Sequence, residues 1–392
     1  MTTVPGSQSR TSFWRHPTVR SVGVQLFMVI AVVWFVVFVT DNTINNMKAR
    51  NLAPGFSFLN DTAGFDILQA LIPYSRGSTY ATAFVVGLLN TLLVAVLGII
   101  TATILGFLVG VMRLSRNWVI RSSATLYVEF VRNVPLLLQM FIWYKTVLKA
   151  LPAPRDSLRY DDMFFLSNRG LMSPKPLFEP AALWTLAALT VGIIATFFIT
   201  RWARKRQERT GEIFPAFLTS LGLIIALPIV VFSASGLPVR FEYPVLQGFN
   251  FVGGLAIIPE FMALYLALSI YTAAFISEIV RAGVLAVSHG QTEAAHALGL
   301  RHGPTLRLII IPQAMRVIIP PLASQYLNLT KNSSLAVAIG YPDFVYTGGT
   351  ILNQTGQAVT IVLIWMGVYL SLSLLTSSFM NWFNSRMKLV ER

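Results

Sequence analysis

Residues 79–112 read TYATAFVVGLLNTLLVAVLGIITATILGFLVGVM, a run of thirty-four residues without one charged side chain. A helix rises about 1.5 Å per residue, so this run crosses a roughly 30 Å hydrocarbon core with turns to spare. The rest of the chain sides with lipid. Hydrophobic residues fill 55% of the sequence and charged residues only 12%, about half the charged share of an ordinary soluble domain.

Working outward from that run, eight segments suit membrane spans: Val22–Val39, Ala83–Met112, Asn133–Leu151, Ala181–Thr200, Ile213–Ser233, Leu255–Val280, Pro312–Ile339 and Thr360–Met380. The expected fold is an all-α polytopic membrane protein. The third and seventh segments carry polar residues and prolines, which in a bilayer need the shelter of neighbouring helices or a cavity. Eight crossings put both termini on one side. The segments on that side hold 17 Lys and Arg, against 8 in Asp41–Tyr80, Pro152–Pro180 and Ala234–Gly254. Basic loops stay in the cytoplasm, so both termini are expected there.

The net charge of +14 does not imply nucleic acid, because the basic residues sit in short loops between spans. Only Arg201–Arg209, RWARKRQER, forms a dense run, and beside a span it reads as an anchor to anionic lipid. The first apolar segment is too long for a cleavable signal and ends in Asp41-Asn42. No cysteine is present, which excludes disulfide and thiol chemistry. Composition divides the chain at 1–79 (tail, first span and external loop), 80–151, 152–254 (two spans between loops rich in Pro, Gly and charge) and 255–392. This predicts a five-span core, 80–151 joined to 255–392, with one helix added in front and a two-helix insertion. No internal repeat is evident, unlike inverted-repeat secondary carriers. Gly106 and Gly110, with Gly98 two turns earlier, offer a small-residue face for close helix packing.

Between the sixth and seventh spans the chain reads GQTEAAHALGLRHGPTLRLIIIP, Gly290–Pro312. Gln291–Leu298 favours helix, with Ala294 and Ala295 leaving an open face beside Glu293. Gly299 and then Gly303-Pro304 stop that helix and turn the chain. A short helix with a small-residue face and an acidic anchor suits docking into a partner's groove. The spacing of Glu293-Ala294-Ala295, Gly299, Ile309 and Pro312 resembles the EAA signature of permease subunits in ABC importers, with Ile311 where leucine is usual. Gly87–Ser115, Phe130–Gln139 (FVRNVPLLLQ) and Asn328–Gly340 (NLTKNSSLAVAIG) are similar to the polar amino-acid uptake branch, which includes histidine, glutamate, glutamine and arginine permeases. The added first span and the 152–254 insertion look like the long Q-type subunit of general L-amino-acid transporters.

The resemblance implies an ATP-driven, binding-protein-dependent importer of L-amino acids in a bacterial inner membrane. Its implied partners are a second homologous permease, two cytoplasmic ATPases docked on the EAA loops, and an extracytoplasmic binding protein. ATP and Mg would sit on the ATPases, with no cofactor in this chain. Lys331, Asn332, Ser333 and Ser334 lie inside an otherwise apolar span, and Arg132, Asn133 and Gln139 open the third span. Both groups are candidates to line the substrate path. Equally, the serines can return their hydroxyls to the backbone and Arg132 can snorkel to the interface. The family often has Asp where this chain has Asn332, which predicts broader tolerance. Glu278 and Arg281 stand one turn apart just before the EAA loop, suited to pairing, gating or orienting it. His289, His296 and His302 do not share a helical face, so no metal site is expected.

GxxxxGK[ST], HExxH and GxSxG are all missing, so this chain should hydrolyse nothing itself. An ion-coupled secondary carrier is the alternative. It would want carboxylates within the spans, and only Glu129, Glu260 and Glu278 lie near span ends. A membrane-embedded enzyme would need a nucleophile or metal set that the sequence does not offer.

Overall fold

The computed structural model describes residues 17–49 and 55–387. The basic residues of the tails at 1–16 and 388–392 lie outside the described residues, as does Pro54. Twelve helices are described: α1 Pro17–Ala49, α2 Tyr80–Met112, α3 Trp118–Asn133, α4 Leu136–Phe141, α5 Ala182–Thr210, α6 Ala216–Ala234, α7 Pro259–Leu285, α8 His289–Ala297, α9 His302–Thr305, α10 Ile311–Asn332, α11 Phe344–Thr355 and α12 Ala358–Met387. Among the described residues, seven helices are long and apolar enough to cross a membrane. They match seven of the eight expected spans.

The eighth is shorter than the sequence implied. Asn133 ends α3, Val134 is extended, and only Leu136–Leu148 forms the apolar helix that follows. Pro135 explains the break, because proline removes a donor and pushes the preceding residue out of helical geometry. α3 itself starts at a good signal, Asn117, whose side chain accepts from Val119 and Ile120 N–H.

Two compact units share α2 and α7: Leu97–Arg281, and Met1–Val96 with Ala282–Arg392. In the first unit a Cβ on Gly106 would lie 2.6 Å from Ile276 Cβ, and one on Gly110 would lie 2.8 Å from Val280 Cβ. The GxxxG pair therefore seats α2 directly on α7 within this chain. α3 also leans on α7: Tyr127 donates to the Ile270 carbonyl at 2.7 Å, and Val128 and Val131 pack against Ala274. α5 and α6 form a hairpin in which a Cβ on Gly192 would meet the Leu223 carbonyl at 2.5 Å.

The loops around that hairpin are not irregular. They carry β1 Leu158–Tyr160, β2 Phe164–Ser167, β3 Gly170–Ser173, β4 Lys175–Phe178, β5 Val239–Glu242, β6 Val245–Gln247, β7 Asn250–Val252 and β8 Leu255–Ile257. β1-β2-β3-β8 is one antiparallel sheet, β4 pairs with β5 and β6 with β7. The all-α expectation holds for the membrane-spanning part, while the inserted loops add strands. The sixth span accordingly begins at Pro259 instead of Leu255: Leu255–Ile257 is taken by β3, with Ser173 opposite Leu255 and Leu171 opposite Ile257. A three-residue apolar run does not reveal by periodicity which state it joins.

In the second unit the 57–80 loop packs through Phe58, Ala63 and Tyr80 on Phe344, Ile351 and Ile361. Asn90 Nδ2 donates to the carbonyls of Gln69 (2.8 Å) and Pro342 (2.9 Å). Tyr80 donates to Gln354 Oε1 at 3.0 Å, so 57–80 and 341–354 lie on one side of the molecule. The last turn of α7 meets α10 closely, since a Cβ on Gly283 would fall 2.3 Å from Ile318 Cγ1.

Candidate functional site

The EAA segment folds as helix, turn and return. α8 carries Glu293, Ala294 and Ala295 and stops at Leu298. Gly299 follows at φ +77°, with its N–H on the His296 carbonyl (2.9 Å) and the Leu300 N–H on the Ala295 carbonyl (3.1 Å). This is a Schellman closure, which favours glycine because only glycine adopts αL without cost. Leu306–Ile310, holding Ile309, is one π-helical turn, and Pro312 sits in the first turn of α10. A proline ring clashes with the carbonyl four residues back, and a wider turn relieves that clash. Gln313 Nε2 donates to Gln291 Oε1 at 3.2 Å, tying the start of α10 to α8.

The two alanines play different parts. Ala295 is 1% exposed and faces its own chain, whereas Glu293 and Ala294 are exposed and Leu298 is 80% exposed. The open face is therefore Glu293, Ala294 and Leu298, and Ala295 fixes the helix from beneath. Glu293 Oε1 meets His289 Nδ1 at 3.0 Å one turn away. Among the described residues no three His, Asp or Glu side chains assemble as a metal-ligand set.

In the seventh span the helix tightens from α10 into a 3₁₀ run, Ser333–Ile339, which Gly340 closes at φ +78°. Ser333 and Ser334 return their hydroxyls to the carbonyls of Thr330 and Lys331, each at 2.7 Å. Asn332 is half-buried, and Lys331 is exposed within the His302–Ile339 span. Around the third span, Gln139 Nε2 donates to the carbonyls of Val131 and Val134, both at 2.9 Å. Its amide thus covers carbonyls freed by the break at Pro135. Asn133 Nδ2 donates to the Glu129 carbonyl at 2.8 Å, and Arg132 lies 5.2 Å from the Phe275 ring centroid.

Glu278 and Arg281 do pair, Arg281 Nη2 donating to Oε1 at 2.5 Å. The other carboxylate oxygen takes Arg113 from the end of α2, a partner that sequence spacing could not reveal because it lies 165 positions away. Asp343, between the seventh span and α11, is also absent from the sequence reading. It is fully buried and caps α11, with Oδ1 accepting from the Tyr346 N–H at 2.7 Å. Burial pushes its carboxyl up to about 7. A cavity of about 720 Å3 at one end of the α5–α6 hairpin is lined by apolar side chains such as Leu183, Leu186, Pro228 and Phe232, and by none of the candidate residues.

The fold is that of a polytopic helical membrane protein with a short, glycine-terminated helix between two of its spans. The family described as binding-protein-dependent transport system inner membrane component matches residues 188–389, and the chain belongs to it. The chain is 55% identical to the general L-amino acid transport system permease protein AapQ of Rhizobium johnstonii, over 96% of this chain and 94% of that one. It is 49% identical to the putative amino-acid ABC transporter permease protein YhdX of Escherichia coli, covering 100% and 98%. The glutamate/glutamine/aspartate/asparagine transport system permease protein BztB of Rhodobacter capsulatus is 44% identical, covering 95% of each. A solved structure, an amino acid ABC transporter with histidines, is 21% identical with a TM-score of 0.47, covering 78% of this chain and 95% of that one. This chain is an ABC importer permease for amino acids, and the ion-coupled carrier is set aside.

Proposed function

We propose that this chain is one of two homologous permease subunits in a bacterial inner-membrane importer of broad L-amino-acid specificity. Two ATPases, carrying ATP and Mg, dock on the EAA helices of the pair, and an extracytoplasmic binding protein delivers the amino acid. The observation that carries this reading is the open face of α8. Glu293, Ala294 and Leu298 project from a helix that Gly299 terminates and that Gln291–Gln313 ties to the seventh span. An apolar residue 80% exposed beside a small one is a shape for a partner's pocket. ATPase closure on bound ATP would then swing the core outward-facing, and hydrolysis would reset it.

The substrate path in this reading runs by Lys331, Asn332, Ser333 and Ser334, with Arg132 and Asn133 beside the broken third span, while Gln139 holds the break itself. Lys331 is a cation exposed in a span, and an α-carboxylate is a natural partner for it. Asn332 recognises without charge, which suits many side chains, in keeping with the several amino acids named for the transport systems of AapQ and BztB. Glu278 and Arg281 orient the segment that follows. The core is 80–151 with 255–392, both termini are cytoplasmic, and Arg201–Arg209 rests on anionic lipid.

The test is Ala294→Asp in the complex isolated through a tag on this chain. The expected outcome is loss of the ATPase from the complex, or its retention without stimulation by loaded binding protein, at normal membrane abundance. Normal uptake by this variant would overturn the docking assignment.

A further inference from the structure

Arg113 is the first charged residue after Arg76 and closes the apolar run of α2. Its side chain is 7% exposed, and Nη1 donates to Glu278 Oε2. Arg281, one turn on from Glu278 along α7, holds the other oxygen at 2.5 Å. One carboxylate therefore joins two guanidinium groups, one from each of two helices. Arg281 occupies one oxygen of Glu278 and Arg113 the other, so the carboxylate bridges the two guanidinium groups.

The rest of the α2–α7 seam is of another kind. Gly106 on Ile276 and Gly110 on Val280 are close van der Waals contacts, which hold the two helices by shape and carry no charge. The half-buried ion pair adds a directional, charge-assisted bond to that seam, and removing one partner leaves the other charge stranded. Beyond Glu278, α7 continues to Leu285, and α8 starts four residues later at His289.

We propose that Arg113 is a positioning residue of the transport cycle: its bond to Glu278 locks the end of α2 to the end of α7 that feeds the EAA helix, so both helices move as one body. The inference rests on the reading of 290–312 as the ATPase docking segment. Arg113 touches neither ATP nor substrate and acts through Glu278. Without it, force arriving at α8 would shift α7 while α2 lagged, and ATP would be consumed with little transport.

The experiment uses the whole complex in proteoliposomes with binding protein and substrate, reading amino acid carried per ATP hydrolysed and stimulated over basal hydrolysis. Arg113→Ala should lower transport per ATP by about tenfold, with the KM for loaded binding protein changed less than about twofold. The exchange Arg113→Glu with Glu278→Arg keeps two cations and one anion across the same seam. It should recover at least about a third of the parent coupling, a rescue that lost packing alone would not show. Parent-like coupling in Arg113→Ala overturns the proposal. So does an exchange variant that assembles at parent abundance yet couples no better than Arg113→Ala; if Arg113→Ala fails to assemble, the exchange decides alone. Ala294→Asp runs in parallel. If that variant transports normally, the docking reading itself falls; if it uncouples while Arg113→Ala does not, only the present inference falls.

Discussion

Gly299 has open space where a Cβ would stand, so any cost of substitution there comes from backbone conformation. At φ +77° an L-residue with a Cβ loses about 1–2 kcal/mol, and Asn less than others. Coupling should therefore fall in the order Gly, Asn, Ala, Val, read as binding-protein-stimulated ATP hydrolysis; an equal effect of Asn and Val would remove the turn from the explanation. Asn332→Asp tests a different property. A new carboxylate in a low-dielectric path favours cationic over anionic amino acids, so competition between lysine and glutamate should shift toward lysine. Equal change for both makes the residue structural. At Asp343 the raised carboxyl has a definite sign. The folded state holds a proton that the unfolded state has released, so its contribution is present at acid pH and lost as pH rises from about 4 through about 7. Asp343→Asn keeps an Oδ1 cap and cannot ionise. In detergent, the thermal midpoint of the parent should drop relative to this variant between pH 5 and pH 8. Parallel pH profiles would refute it.

At the scale of elements, the long spans were legible because lipid is an unforgiving solvent: twenty apolar residues in a row have few other uses. The EAA segment was legible for another reason, since a helix needs a stop and Gly299 supplies one that composition cannot hide. What escaped were contacts made across distance. β8 reads as the start of a helix because Leu255–Ile257 shows its strand character only once paired to β3. Ala295 and Ala294 are alike in sequence, and only packing separates the buried one from the exposed one. Gln139 was a candidate for the substrate path, yet its amide is engaged at the Pro135 break. Gln139→Leu would strand the buried Val131 carbonyl, at about 1–3 kcal/mol, and the half-buried Val134 carbonyl at less. It should lower thermal stability of the purified chain while leaving relative uptake of different amino acids unchanged. A changed substrate preference at parent stability would instead place Gln139 on the path.

The whole molecule poses the question of how many times the chain crosses. Arg113 bonds Glu278 near the end of α7, so an even number of crossings must separate them. α5, α6 and α7 provide three, and the fourth has to come from the broken stretch around Leu136–Leu148. Its course agrees: Val131 packs beside Ala274, and Tyr144 donates to Glu260 at the opposite end of α7. The pairing of β3 with β8 gives the same parity for the insertion, with α5 and α6 between them. Added to the seven long apolar helices among the described residues, this stretch makes the eight crossings we propose, and the basic loops would then set the direction. The chain has no cysteine, so single introduced cysteines report without background. Tyr160 is 74% exposed on β1 and Phe249 71% exposed between β6 and β7. Cysteines at these two positions should react with an impermeant maleimide from outside intact spheroplasts. Cysteines replacing Arg209 and Leu298 should react only in inverted vesicles. Leu298 carries a second readout, because the proposed ATPase contact covers it: its cysteine should label readily in the isolated permease and be protected in the assembled complex. Labelling of that cysteine from outside would reverse the orientation and end the docking assignment together, whereas inside labelling without protection would spare the topology and reject the contact alone.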